Sequence, residues 1–107
     1  MSTFNEREKA QESKYAHDAE LEFKAQARRA KLVGLWAAGL MGMTVEAAEA
    51  YAKEVIISDL EAPGDDDLFA KVRADLNARG IAQTDHQIRR QMDELLETAR
   101  AQLRAGA

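Results

Sequence analysis

The stretch Thr84–Leu103, TDHQIRRQMDELLETARAQL, reads as one amphipathic helix with its start signal attached. Thr84 followed three residues later by Gln87 has the form of a capping box, in which each side chain satisfies a backbone amide left free at the helix start. Ile88, Met92, Leu95, Leu96, Ala99 and Leu103 then recur at spacings of three and four, the clearest apolar seam in the chain. A stripe of this kind is stable only against other apolar surfaces, so the upstream sequence must supply them.

Upstream, Gly80 closes a shorter pattern of Leu68, Phe69, Val72 and Leu76. This third helix opens on Asp65-Asp66-Asp67, carboxylates suited to the positive end of a helix dipole. Pro63-Gly64 separates it from a second helix, because proline cannot continue a helix and disfavours the α conformation at Ala62. Thr44 is the natural N-cap there, with Val45, Ala48, Ala52, Val55, Ile56 and Leu60 in period behind it. Around the stop at Gly42, Ala19, Phe23, Ala27, Ala30, Val33 and Ala37 lie near one helical face, and Leu32, Leu35, Trp36, Leu40 and Met43 widen it. Trp36 is expected to anchor the core. Nothing alternates as a strand does, and the connections are short, so neighbouring helices should run antiparallel. The expected fold is all-α: a four-helix bundle over residues 18–107, preceded by an arm over residues 1–17.

The arm differs in character. It has the form of a capping box at Thr3 and Glu6, but Phe4, Ala10, Tyr15 and Ala16 are its only apolar residues before His17. No stripe is wide enough to hold it on a core, and an isolated helix of this length is marginal in water. A flexible, helix-prone segment follows, spanning roughly 25 Å when helical. Phe4 and Tyr15 would supply apolar anchors and Arg7, Lys9 and Lys14 charge-assisted hydrogen bonds to a partner.

The 107 residues carry a net charge of −4, opposite in sign to a nucleic-acid binder, and contain no cysteine for disulfides, thiol chemistry or Cys-based zinc sites. Neither a secretory leader nor a membrane-length apolar run is present, so a soluble, cytoplasmic chain is expected. The two histidines, His17 and His86, have no metal-binding spacing, and no phosphate-binding loop or catalytic set occurs. Charge is uneven along the chain. Lys24, Arg28, Arg29 and Lys31 form a basic run, a candidate contact for an acidic partner surface or for ATP or ADP phosphates. Residues 44–67 carry eight acids against Lys53 alone.

The stretch YAHDAELEFKAQARRAKLVGLWAAGLMG, Tyr15 to Gly42, with Phe4, Arg7 and Glu8 before it, resembles the zeta subunit of α-proteobacterial F-type ATP synthases. The resemblance extends to the Tyr51–Val55 and Asp67–Val72 segments. It departs at Ala30, where the family tends to carry Asn, and at Gln26, where an acid is common. The resemblance implies a four-helix bundle whose mobile N-terminal region inhibits ATP hydrolysis from a catalytic interface between the α and β subunits, near the γ stalk. By position, Phe4, Glu6, Arg7, Glu8, Lys9, Lys14, Tyr15 and His17 would form the inhibitory segment. The expected protein is no enzyme, needs no cofactor, is monomeric when free, and is peripheral to the inner membrane through the synthase. A nucleotide-binding sensor or a non-inhibitory assembly scaffold are the alternatives.

Overall fold

The computed structural model of the chain describes the backbone of residues 2–106 and the side chains of residues 18–106. Four helices follow in order: α1 (Ser2–Leu40), α2 (Val45–Glu61), α3 (Asp65–Ala78) and α4 (Asp85–Arg104). α1 has 39 residues and so is about 58 Å long at 1.5 Å per residue. It sets the long dimension of the molecule, 65 × 25 × 22 Å.

The stop and start signals act as their chemistry dictates. At the end of α1, Gly42 turns to φ 70, and the Met43 amide donates to Ala38 O at 3.1 Å. The end of α3 repeats this closure at Gly80 (φ 69), with the Ile81 amide on Leu76 O at 2.9 Å. Only glycine takes such a left-handed turn without a Cβ penalty. Thr44 accepts from the Ala47 amide at 3.2 Å. The capping box at Thr84 is complete, with the Gln87 amide on Thr84 Oγ1 at 3.0 Å and the Thr84 amide on Gln87 Oε1 at 2.8 Å.

α1 packs chiefly on α2 and α4, whose backbones stay apart, while α3 bridges those two on the far side. Val33, Val55, Leu68, Val72, Leu76, Ile88 and Met92 fill the centre, with Ala30, Ala37, Ala38 and Tyr51 around them. Gly34 lets α1 and α2 approach closely: a Cβ there would stand 2.9 Å from Ala52 Cα. Tyr51 Oη donates to Asp75 at 2.7 Å. Lys71 bridges Glu54 at 2.9 Å and Asp75 at 3.0 Å, tying α2 to α3. Arg73 donates to Gln83 O at 2.6 Å and Asp85 at 3.1 Å, fixing the α3–α4 connection.

Three sequence expectations need correction. In α1 the expected face is buried from Ala30 through Val33 to Ala37 but not before it: Ala19 is exposed and Phe23 is 65% exposed, while Ala25 and Arg29 are buried. In α2, Val45 (79% exposed) and Leu60 (57%) lie outside the core despite being in period, and Tyr51 is inside it. Trp36 is half-buried, packed against the edge of the core rather than anchoring it.

Candidate functional site

The candidate binding residues divide into an N-terminal set and a set on the bundle. Phe4, Glu6, Arg7, Glu8, Lys9, Lys14, Tyr15 and His17 belong by backbone to α1, but their side chains lie outside the described residues. The Thr3–Glu6 capping box also lies outside them.

Where α1 enters the described region, a fork joins it to α4. Arg100 donates through Nη2 to Glu22 Oε1 at 2.6 Å and through Nε to Oε2 at 3.1 Å. It is the most N-terminal ion pair between α1 and another helix among the described residues. The Arg100 hydrogen bond holds the Glu22 carboxyl below its ordinary pKa, outweighing the opposing effect of burial, and Gln26 adds to the lowering. The two-pronged geometry fixes direction as well as distance, which a single lysine contact would not.

The four basic residues of Lys24–Lys31 are not one cluster. Arg29 is 1% exposed and donates through Nη2 to Asp65 at 2.5 Å and Gln26 at 2.7 Å. Its Nε and Nη1 are buried without a protein partner. The other three share a groove of about 370 Å³ with Phe23, Ala27, Ile56 and Leu103. Of these, Lys24 pairs with Glu20 at 3.2 Å on the exposed helix surface, and Arg28 makes a long 3.5 Å contact to Gln102. Exposed pairs of this kind hold their charges loosely, so the cations remain available to a partner.

Across Phe23 lies a second groove, of about 450 Å³, between α1 and the α2–α3 corner. Phe23, Gln26 and Ala27 form one wall, and Asp59, Leu60, Pro63, Gly64 and Asp65 the other. Burial, joined by repulsion from Asp65 and Asp67 and opposed by Arg29, raises the Asp59 pKa. A third depression lies between Trp36 and Leu40 of α1 and Gln87, Arg90 and Glu94 of α4. Leu60 falls in helical period with the core residues of α2, so periodicity alone hides the groove beside it. The signal that could have found it was the turn chemistry of Pro63-Gly64, which carries the end of α2 away from α1.

His86 is exposed in the first turn of α4, and Asp65-Asp66-Asp67 forms the first turn of α3. Among the described residues, no group of three or more His, Asp or Glu is placed to hold a metal ion. No helix of the described residues is long and apolar enough to cross a membrane.

Fold and surfaces together define a small helical body that offers grooves and charged faces to other macromolecules. Known proteins sharpen this. The model of the family described as ATPase inhibitor subunit zeta matches residues 1–102, and the chain belongs to that family. It is therefore a non-catalytic regulator, and membership implies association with an ATP synthase. A solved structure described as "Solution NMR structure of the protein" is similar at 38% identity and a TM-score of 0.70, covering 81% of this chain and 99% of that one. No curated protein matches.

Proposed function

We propose that the chain inhibits ATP hydrolysis by an F-type ATP synthase, with residues 1–17 as the blocking element and the bundle as its holder. The family match carries this reading, because it runs from residue 1 to residue 102 and so takes in both the polar segment and the body. The continuity of α1 from Ser2 to Leu40 supports it. A helix whose base is packed between α2 and α4 and forked to Arg100 presents its leading turns in a defined direction.

The mechanism is steric. The segment enters a catalytic interface between the α and β subunits, close to the γ stalk. Phe4 and Tyr15 bury their rings there, and Glu6, Arg7, Glu8, Lys9, Lys14 and His17 pair with polar groups of the walls. Hydrolysis requires such interfaces to open and close in turn. A ligand stops that cycle only by binding one state more tightly than the others. To bring a state from one in a hundred to ninety-nine in a hundred, it must prefer that state about 10⁴-fold, roughly 5.5 kcal/mol. Ordering a flexible segment costs about 2–5 kcal/mol. Growth of the segment from an anchored helix lowers that cost, since the nucleating turn already exists. Rotation in the synthesis direction expels the wedge, so synthesis is spared.

Lys24, Arg28 and Lys31 follow the segment along α1 and supply a cationic contact for an acidic surface of the same partner. The free protein is a monomer, peripheral to the inner membrane through the synthase. Deletion of residues 2–17 tests the assignment. The shortened protein should keep its helical circular-dichroism spectrum and lose inhibition of ATP hydrolysis by the purified synthase. Full inhibition by the shortened protein would refute the wedge.

A further inference from the structure

We infer that the groove between Phe23 and Leu60 is a second docking surface, taking from the head of the ATP synthase a segment that carries a large apolar side chain beside a lysine or arginine. This rests on the reading that the chain binds the synthase, and it adds a contact made by the body rather than by the arm. Two of the large hydrophobic residues most exposed on the described surface, Phe23 at 65% and Leu60 at 57%, line this one groove, with Pro63 beside them. Its volume of about 450 Å³ accommodates a large side chain.

Charge selects the occupant. Asp65 is committed to Arg29 and Asp66 to Arg89. Asp59 and Asp67 have no ion-pair or hydrogen-bond partner among the described residues. Asp59 lies in the wall beside Leu60, where a cation from outside would stabilise its charge against burial and against Asp65 and Asp67. A metal ion does not fit, since no third ligand is placed to complete a site among the described residues. The chain's own arm, with Phe4 near Arg7 and Tyr15 beside Lys14, is the rival occupant, and the test separates the two: if the arm filled the groove, Leu60→Ser and Asp59→Lys would free it and raise affinity for the head. Position favours the synthase itself: Phe23 lies six residues beyond His17, about 9 Å along the axis, so a partner that takes the arm is within reach of the groove.

The test uses the full chain and the purified synthase head, with affinity measured by fluorescence titration and hydrolysis followed in the same samples. Leu60→Ser and Asp59→Lys should each weaken binding at least tenfold, and Asp59→Asn severalfold. Val45→Ser, which removes a still more exposed apolar side chain outside the groove, should leave affinity unchanged. Inhibition at saturating protein should persist in all four variants. Asp59→Asn should also melt higher than the parent protein, because a residue kept for binding at a cost in stability improves stability when neutralised. Unchanged affinity in Leu60→Ser and Asp59→Lys, with native melting curves, would overturn the inference. So would an effect of these changes on self-association in sedimentation with none on the head. Binding without inhibition by the parent protein would instead sink the inhibitory reading and leave the groove to be decided by the affinities.

Discussion

Two glycines of α1 should respond oppositely to the same substitution. Both Gly34 and Gly39 lie inside the helix and neither has a positive φ. Alanine at either position gains about 1 kcal/mol of helix propensity. At Gly39 a Cβ meets nothing within 4 Å, so Gly39→Ala should stabilise by about 0.5–1 kcal/mol. At Gly34 the new Cβ would stand 2.9 Å from Ala52 Cα and 3.3 Å from both Val55 Cβ and Val55 Cγ2. Carbon atoms pack at about 3.5–4.0 Å, so α2 would have to retreat by roughly 0.6–1 Å. The obstacle is backbone, and Ala52 and Val55 are fully buried, so no side chain can swing away. Overpacking of this kind costs about 1–3 kcal/mol. Against the propensity gain, the net for Gly34→Ala is a loss of up to about 2 kcal/mol. At about 4–8 °C per kcal/mol for a domain of this size, the two variants should differ in Tm by about 10 °C, with the parent between them. Thermal and urea unfolding followed by far-UV circular dichroism measures this. Equal stabilisation by both substitutions would refute the close approach of α1 and α2.

Arg29→Ala should cost about 2–4 kcal/mol through the cavity left by its buried stem. Arg29→Met should cost less than about 1 kcal/mol in the same unfolding assay, because replacing a buried cation by an apolar side chain of similar length removes the burden of its two unpartnered nitrogens. The pKa of Asp59 is raised on folding, by burial and by Asp65 and Asp67 against Arg29. Its ionised form is therefore a cost, fully present above the raised folded value and gone below the unfolded value near about 3.9. Asp59→Asn should raise Tm at neutral pH, and the gain should vanish in acid. Glu22 has the opposite sign, its pKa lowered chiefly by the Arg100 hydrogen bond. Its contribution is present above its ordinary value near about 4.3 and is lost as pH falls through the lower folded value. Arg100→Ala should lower Tm at neutral pH, and the deficit should shrink as the medium becomes acid.

Much of the fold is legible in the sequence because it is punctuated by residues with local reasons. Gly42, Pro63-Gly64 and Gly80 stop helices through backbone chemistry. Thr44 and Thr84 start them through side-chain oxygens. α4 is legible in its interior too, since its apolar residues are large and its other face is charged. α1 is not. Its apolar residues are mostly alanines and glycines, small enough that periodicity alone cannot tell an inward face from an outward one. The face through Ala25, Arg29, Ala30, Val33, Ala37 and Ala38 is chosen by how closely Gly34 lets α2 approach. Arg29 looks like part of a basic surface run, yet it stands four residues from both Ala25 and Val33. That spacing placed it inside, and its pairing with Asp65 could be known only once α3 was in position. The surfaces were legible to different degrees for the same reason. Lys24, Arg28 and Lys31 share a helical face by spacing, whereas the groove at Phe23 and Leu60 requires the α2–α3 corner to be folded.

The proposed mechanism gives body and arm separate tasks. The core of α1–α4 buries its apolar residues without a partner. Under the proposed mechanism the leading turns are left for the partner, since residues 2–17 hold few apolar side chains. The ion-pair fork at Glu22 and Arg100 stands where the two parts join. Changes in the core should therefore alter stability with little effect on inhibition at temperatures where the protein is folded.

Photochemical crosslinking most directly locates the blocking element. A benzoylphenylalanine in place of Tyr15, irradiated in the inhibited complex with the purified synthase head, should label peptides of the α and β subunits that face each other across a catalytic interface. Labelling confined to the outer surface of the head, with hydrolysis still fully blocked, would contradict a wedge and place the inhibition elsewhere.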